Sequence, residues 1–200
     1  MALNFNPQED LLPTFPTPIA RVTVPDAETL NAGLRRIILE RAAADPGVHK
    51  SNAGGWQSEA DLETWPEPEP KQFIALVHEL VGELVSATSQ GQRTAKEITI
   101  RAWANVNRKG DYNKLHHHPN NTWSGVYYVA AGKEVEGRPD SGSIEFQDPR
   151  QANPNPLSLA HKPVAGLILA FPSWLFHWVN PYLGEGERIS ISFNAVVRSQ

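Results

Sequence analysis

The chain has 200 residues, with 18 lysines and arginines against 22 aspartates and glutamates, a formal charge of −4 and no cysteine. That composition excludes disulfides, thiolate metal sites and a cysteine nucleophile, and it offers no basic run for duplex nucleic acid. No apolar stretch approaches the roughly 18 residues of a membrane helix, and Met1–Pro18 lacks the basic and apolar regions of a secretory signal. A cytoplasmic protein without a nucleic-acid or membrane partner is expected. Its length suits a single domain over 1–200, divided by pattern into a helical N-terminal support region, 1–96, and a β core, 97–200.

Asp26, after Pro25, offers a helix N-cap, and Leu30, Leu34, Ile37 and Ile38 then recur at helical spacing until Asp45-Pro46-Gly47. Trp65-Pro66-Glu67-Pro68-Glu69-Pro70 reads as a stiff connector. Beyond it Phe73, Leu76, Val77, Leu80, Val81, Leu84 and Val85 make one broad apolar face, wide enough to bury part of its surface in a homodimer. Neither helix supplies its own packing partner. The second half does. Between Glu97 and Val106 small apolar residues alternate with Thr99, Arg101, Trp103 and Asn105, the period of a half-buried strand. Trp123–Ala130, Ser143–Phe146, Gly166–Phe171 and Ile189–Val197 read as further strands, and Gly132–Gly142 and Asp148–Pro163 as loops. Such a chain is mainly β with N-terminal helices, an antiparallel sandwich or jelly roll.

Four histidines carry the chemistry. In an extended segment His116 and His118 project the same way and His117 the other, so two imidazoles share one face. His177, just after the turn Pro172-Ser173-Trp174, is placed to supply a third ligand. Imidazole suits iron, zinc, copper and nickel alike. Arg188 and Ser190 share the polar face of Glu187–Asn194, opposite Ile189, Ile191 and Phe193. A planar guanidinium fork beside a hydroxyl matches a carboxylate. Core duty is expected of Trp103, Trp174 and Trp178.

The order of these motifs resembles the iron(II)- and 2-oxoglutarate-dependent oxygenases, in particular a bacterial and phage branch. The likeness runs through Gly110–Asn121 with His116-His117-His118, Ser124–Tyr128, Phe171-Pro172-Ser173 with His177, and Glu187–Ser190; Gly54–Ser58 is similar too. It implies a double-stranded β-helix, a cupin-like jelly roll, with iron held at one open end by His116, His118 and His177. His118 stands where the superfamily usually has aspartate or glutamate. Arg188, Ser190 and Tyr128 match the groups that grip the far carboxylate of 2-oxoglutarate, with Tyr127 or Tyr112 taking the tyrosine's role if the register slips. Tyr112, Asn105 and Asn107 are candidate pocket-lining residues. The resemblance implies a dioxygenase that uses Fe(II), 2-oxoglutarate and O2 to hydroxylate an unidentified substrate. Two other readings use the same residues: a zinc hydrolase or hydratase on the three histidines, and a non-enzymatic metal- or ligand-binding jelly-roll module.

Overall fold

The computed structural model describes residues 16–89, 95–150 and 157–199. Most of Met1–Pro18 and the middle of the Asp148–Pro163 loop lie outside the described residues. Two helices, α1 (Glu28–Ala44) and α2 (Pro68–Thr88), cover one face of a two-sheet β structure. The first sheet is six-stranded in the order β1 (Ala20–Thr23), β9 (Leu167–Pro172), β6 (Trp123–Ala130), β11 (Arg188–Ser199), β4 (Ala95–Asn107), β3 (Trp56–Gln57). The second is five-stranded: β2 (Asn52–Ala53), β5 (Tyr112–His116), β10 (His177–Val179), β7 (Ile144–Gln147), β8 (Ser158–His161). Every pairing is antiparallel. The two sheets form the double-stranded β-helix expected from the sequence.

Strand alternation gives the first sheet two different faces. Toward the helices it presents Ala102, Ala104, Val106, Tyr127, Ile189, Ile191 and Phe193, which form one core with Leu34, Ile37, Ile38, Phe73, Val77 and Val81. Toward the second sheet it presents Val126, Tyr128, Leu169 and Phe171, which pack with Ile144 and Phe146. Gly125 lets the helix-side layer close, since a Cβ there would overlap the Phe193 ring. The Tyr127 hydroxyl donates to Asn31 Oδ1 of α1 at 2.6 Å, so this tyrosine serves the helix layer.

Several local expectations are corrected. Asp26 does not cap α1: it adopts φ +49°, and Ala27 takes the cap position without a side-chain bond. The Trp65–Pro70 run is less a connector than a helix start. Pro68 and Pro70 lie in the first turn of α2, where a missing N–H costs nothing, while buried Trp65 stacks under the Arg41 guanidinium at 3.9 Å. The Asp148–Pro163 loop contains β8. The first hundred residues also contribute three short strands, and Gly54 and Gly55 make the β2–β3 turn at φ +72° and +66°. Along α2, Leu76 and Leu80 pack, partly buried, against the core.

Phe73 is fully buried and rests against the rings of Tyr127 and Phe193, with centroids at 5.5 and 6.4 Å. Phe73→Ala should lower stability by about 3–5 kcal/mol, read as a shift in urea midpoint at unchanged slope. Leu76→Ala, on a partly buried position, should cost visibly less.

Candidate metal centre

The site lies between the sheets, where β5 meets β10. His116 ends β5 and is directly opposite His177, the first residue of β10. The chain then leaves the strand, and the His118 N–H donates to the Ser173 carbonyl at 2.9 Å, tying it to the turn before β10. The three rings converge, with centroids 4.4 Å (116–177), 5.0 Å (116–118) and 5.2 Å (118–177) apart. One nitrogen from each lies within 4.8 Å of the others, a group able to hold a metal ion. His117 points away and packs on Phe176.

Hydrogen bonds set the ring orientations. His116 Nδ1–H donates to the Lys114 carbonyl at 2.6 Å, and His177 Nδ1–H to the Leu175 carbonyl at 2.9 Å. Each therefore keeps its Nε2 lone pair for a metal, the arrangement in which a backbone acceptor fixes the tautomer of a ligating imidazole. The indole of Trp103 lies against His118, centroid to centroid 5.7 Å. Burial lowers all three pKa values, and the neighbouring imidazoles add to it: His118 falls to about 4, His177 to about 3, and His116 falls below its ordinary value. At neutral pH the three are uncharged donors, as metal binding requires.

Arg188 opens β11 and is 2% exposed. Its Nε donates to the Gly142 carbonyl at 3.0 Å, and one Nη to Asn107 Oδ1 at 3.2 Å and Ser190 Oγ at 3.5 Å. The guanidinium lies 5.1 Å from the centre of the Tyr128 ring. Among the described residues no carboxylate pairs with it: Glu185 is taken by Lys109, and Glu187 by Arg35 and Arg108. Burial pulls its pKa down, partly offset by Tyr128, yet an arginine stays protonated in proteins. The Tyr128 hydroxyl is fully buried beside it and, among the described residues, has no hydrogen-bond partner of acceptable geometry. Burial raises the Tyr128 pKa, so it is a neutral donor. Both residues and the three histidines line one cavity enclosing about 480 Å³ of non-protein space, its open mouth included.

The structure brings His116, His118, His177, Tyr128, Arg188, Ser190 and Asn105 to this cavity. Asn107 stands behind it as a partner of Arg188. Tyr112 does not line it; the residue is 37% exposed. The reason is a register shift: His177 pairs with His116 but Val179 with Asn113, so one extra residue bulges from β5 and swings Asn113 inward in place of Tyr112. Trp103 lines the cavity rather than the core, and Trp174 is 52% exposed in the β9–β10 turn. Ser51 and Ser192, which sequence reasoning did not single out, also line the cavity. Ser192 was legible as the next polar residue on the Arg188 face; Ser51 carried no signal.

Residues 101–194 match the sequence profile of a family described as putative 2OG-Fe(II) oxygenase. A prolyl-4-hydroxylase from Pseudomonas putida has a similar structure, with a TM-score of 0.65 at 17% identity, covering 91% of this chain and 94% of that one. HygX from Streptomyces hygroscopicus, solved with nickel and 2-oxoglutarate bound, gives 0.63 at 12% identity over 90% and 82% of the two chains. A prolyl hydroxylase from Trichoplax adhaerens, solved with a hypoxia inducible factor peptide fragment, gives 0.62 at 13% identity over 89% and 83%. At these identities the likeness is one of fold. No curated protein matches the sequence.

The lowered histidine pKa values carry a sign. Below pH 6.5, the ordinary value, the unfolded chain binds protons that the folded site refuses, so stability rises with pH there. Metal-free protein should lose stability progressively as pH falls from about 6.5 toward 4, levelling near 3. Denaturant midpoints across that range check it, and His118→Gln should flatten part of the slope.

Proposed function

We propose that the chain, whose residues 101–194 belong to the 2OG-Fe(II) oxygenase family, holds Fe(II) on His116, His118 and His177 and grips the far carboxylate of 2-oxoglutarate with Arg188, Ser190 and Tyr128. The family makes the protein an oxidoreductase that depends on Fe(II) and 2-oxoglutarate. The observation that carries the residue assignment is Arg188. A buried guanidinium with no carboxylate of its own, in one cavity with three convergent imidazoles, is costly unless a ligand anion completes it. A buried tyrosine hydroxyl without an acceptor, next to that guanidinium, supports the same ligand.

The donor set suits the group. Three neutral imidazoles with two Nδ1–H groups already satisfied present three lone pairs and leave further coordination positions free. Bound iron would supply the redox chemistry that couples O2 consumption and loss of carbon dioxide from 2-oxoglutarate to hydroxylation of a substrate C–H bond. The protein's part is orientation and exclusion of water. Arg188 and Ser190 fix the distal carboxylate, Tyr128 donates to it, and Val126, Ile144 and Phe171 supply apolar walls.

Anaerobic titration with Fe(II) and 2-oxoglutarate should give the charge-transfer absorption of an iron–oxoacid chelate. Arg188→Ala should weaken 2-oxoglutarate binding by roughly 10–100-fold, the worth of a charge-assisted hydrogen bond, while bound metal stays near wild type. Equal 2-oxoglutarate affinity in the two proteins would remove the assignment.

A further inference from the structure

We infer that the oxidised substrate is itself an anion, whose carboxylate or comparable monoanionic group binds in this cavity at its metal end, next to Ser51 and Ser192. The inference rests on the metal and cosubstrate assignment above and extends it to substrate class.

Charge balance is the first ground. Among the described residues, three neutral imidazoles, one guanidinium and no carboxylate line the cavity. A divalent ion and Arg188 together bring three positive charges, and 2-oxoglutarate brings two negative ones. A carboxylate in the third ligand place would cancel the remainder, but His118 stands there. The acids nearby do not line the cavity, and their carboxylates bond outside it. Asp111 Oδ2 accepts the Arg108 N–H, Glu187 faces Arg35 and Arg108, and Glu145 accepts from Asn180 and Ser158. An uncompensated charge in a partly enclosed cavity is costly, and a substrate anion removes that cost.

The second ground is a surplus of donors. Asn105 Nδ2 donates to Ser192 Oγ at 3.2 Å, and Asn113 Nδ2 to Ser51 Oγ at 3.2 Å. Both hydroxyl oxygens thus accept, and among the described residues neither has a protein acceptor for its own proton. Reversing either amide only moves the surplus proton to nitrogen; each pair still has a donor left over. Ser192 lies two residues beyond Ser190 on β11, away from Arg188, and Asn113 lies three residues from His116 on β5. Ser192 is opposite Trp103, whose indole lies on His118, and Asn113 precedes the bulge that ends at His116. Ser190 and Tyr128 are already assigned to the cosubstrate, and these pairs are polar groups of the cavity outside that assignment.

The test uses the full chain, anaerobic and loaded with Fe(II) and saturating 2-oxoglutarate, so that Arg188 is already engaged. Acetate and its neutral isostere acetamide are titrated at constant ionic strength, following the charge-transfer band and the heat of binding. Acetate should bind about tenfold more tightly than acetamide. Ser192→Ala should lose most of that preference while 2-oxoglutarate affinity stays within about twofold. His118→Asp, which restores the missing negative charge, should abolish the preference. Equal binding of the two probes, or a preference untouched by both substitutions, overturns the inference. If His118→Asp fails to load metal, the Ser192→Ala result and the wild-type acetate-to-acetamide ratio decide alone. Absence of the band withdraws the cosubstrate assignment and this inference with it, whereas a normal band without acetate preference withdraws this one only.

Discussion

The buried guanidinium of Arg188 constrains more of this structure than any other single group. Removing an arginine from water costs several kcal/mol unless its donors are met. Here the fold meets them with neutral oxygens from three places: the Gly142 carbonyl, Asn107 of β4, and Ser190 on its own strand. The Tyr128 ring supplies a fourth, weaker partner. Those groups position the cation without neutralising it. The same strands must therefore be polar on the cavity face at this end, even though each is wholly apolar on the other.

That division explains which features could be read in the sequence. Strands with clear alternation were legible: β4 and β11 showed both their faces, and with them Arg188, Ser190 and Asn105, whereas β6 was legible only as a strand and Tyr128 only through the family resemblance. The three histidines were legible because two share a segment and the third follows a strand and a turn. Strands of two to five residues, such as β2, β3, β5 and β8, carry too few alternations to announce themselves. The exchange of Tyr112 for Asn113 depends on a bulge between β5 and β10. A bulge is a property of the pair and leaves no mark on either strand alone. The prolines of the Trp65–Pro70 run misled for a related reason, because helix N1 and a stiff connector use the same residue.

His118 shows how one residue can keep a site's geometry while changing its electrostatics. An imidazole there converges with His116 and His177 as a ligand should, and its N–H bond to Ser173 ties it to the turn before β10. The departure from a carboxylate is therefore held by the backbone and by the Trp103 indole. It does not follow from a collapsed site. Its consequence is charge, since a neutral third ligand leaves a metal one unit more positive than a carboxylate would.

Stability and chemistry meet in β11. Ile189, Ile191 and Phe193 tie this strand to the helices, while Arg188, Ser190 and Ser192 face the cavity from alternate positions. A register slip of one residue would exchange the two sets, burying serines under α2 and placing isoleucines on the cavity wall. Pairing along the whole of β4 and most of β6 prevents that slip, so the helix-side core fixes where the arginine points. The N-terminal helices thus act on the site without touching it. They pay for the apolar face whose other side is the cavity wall.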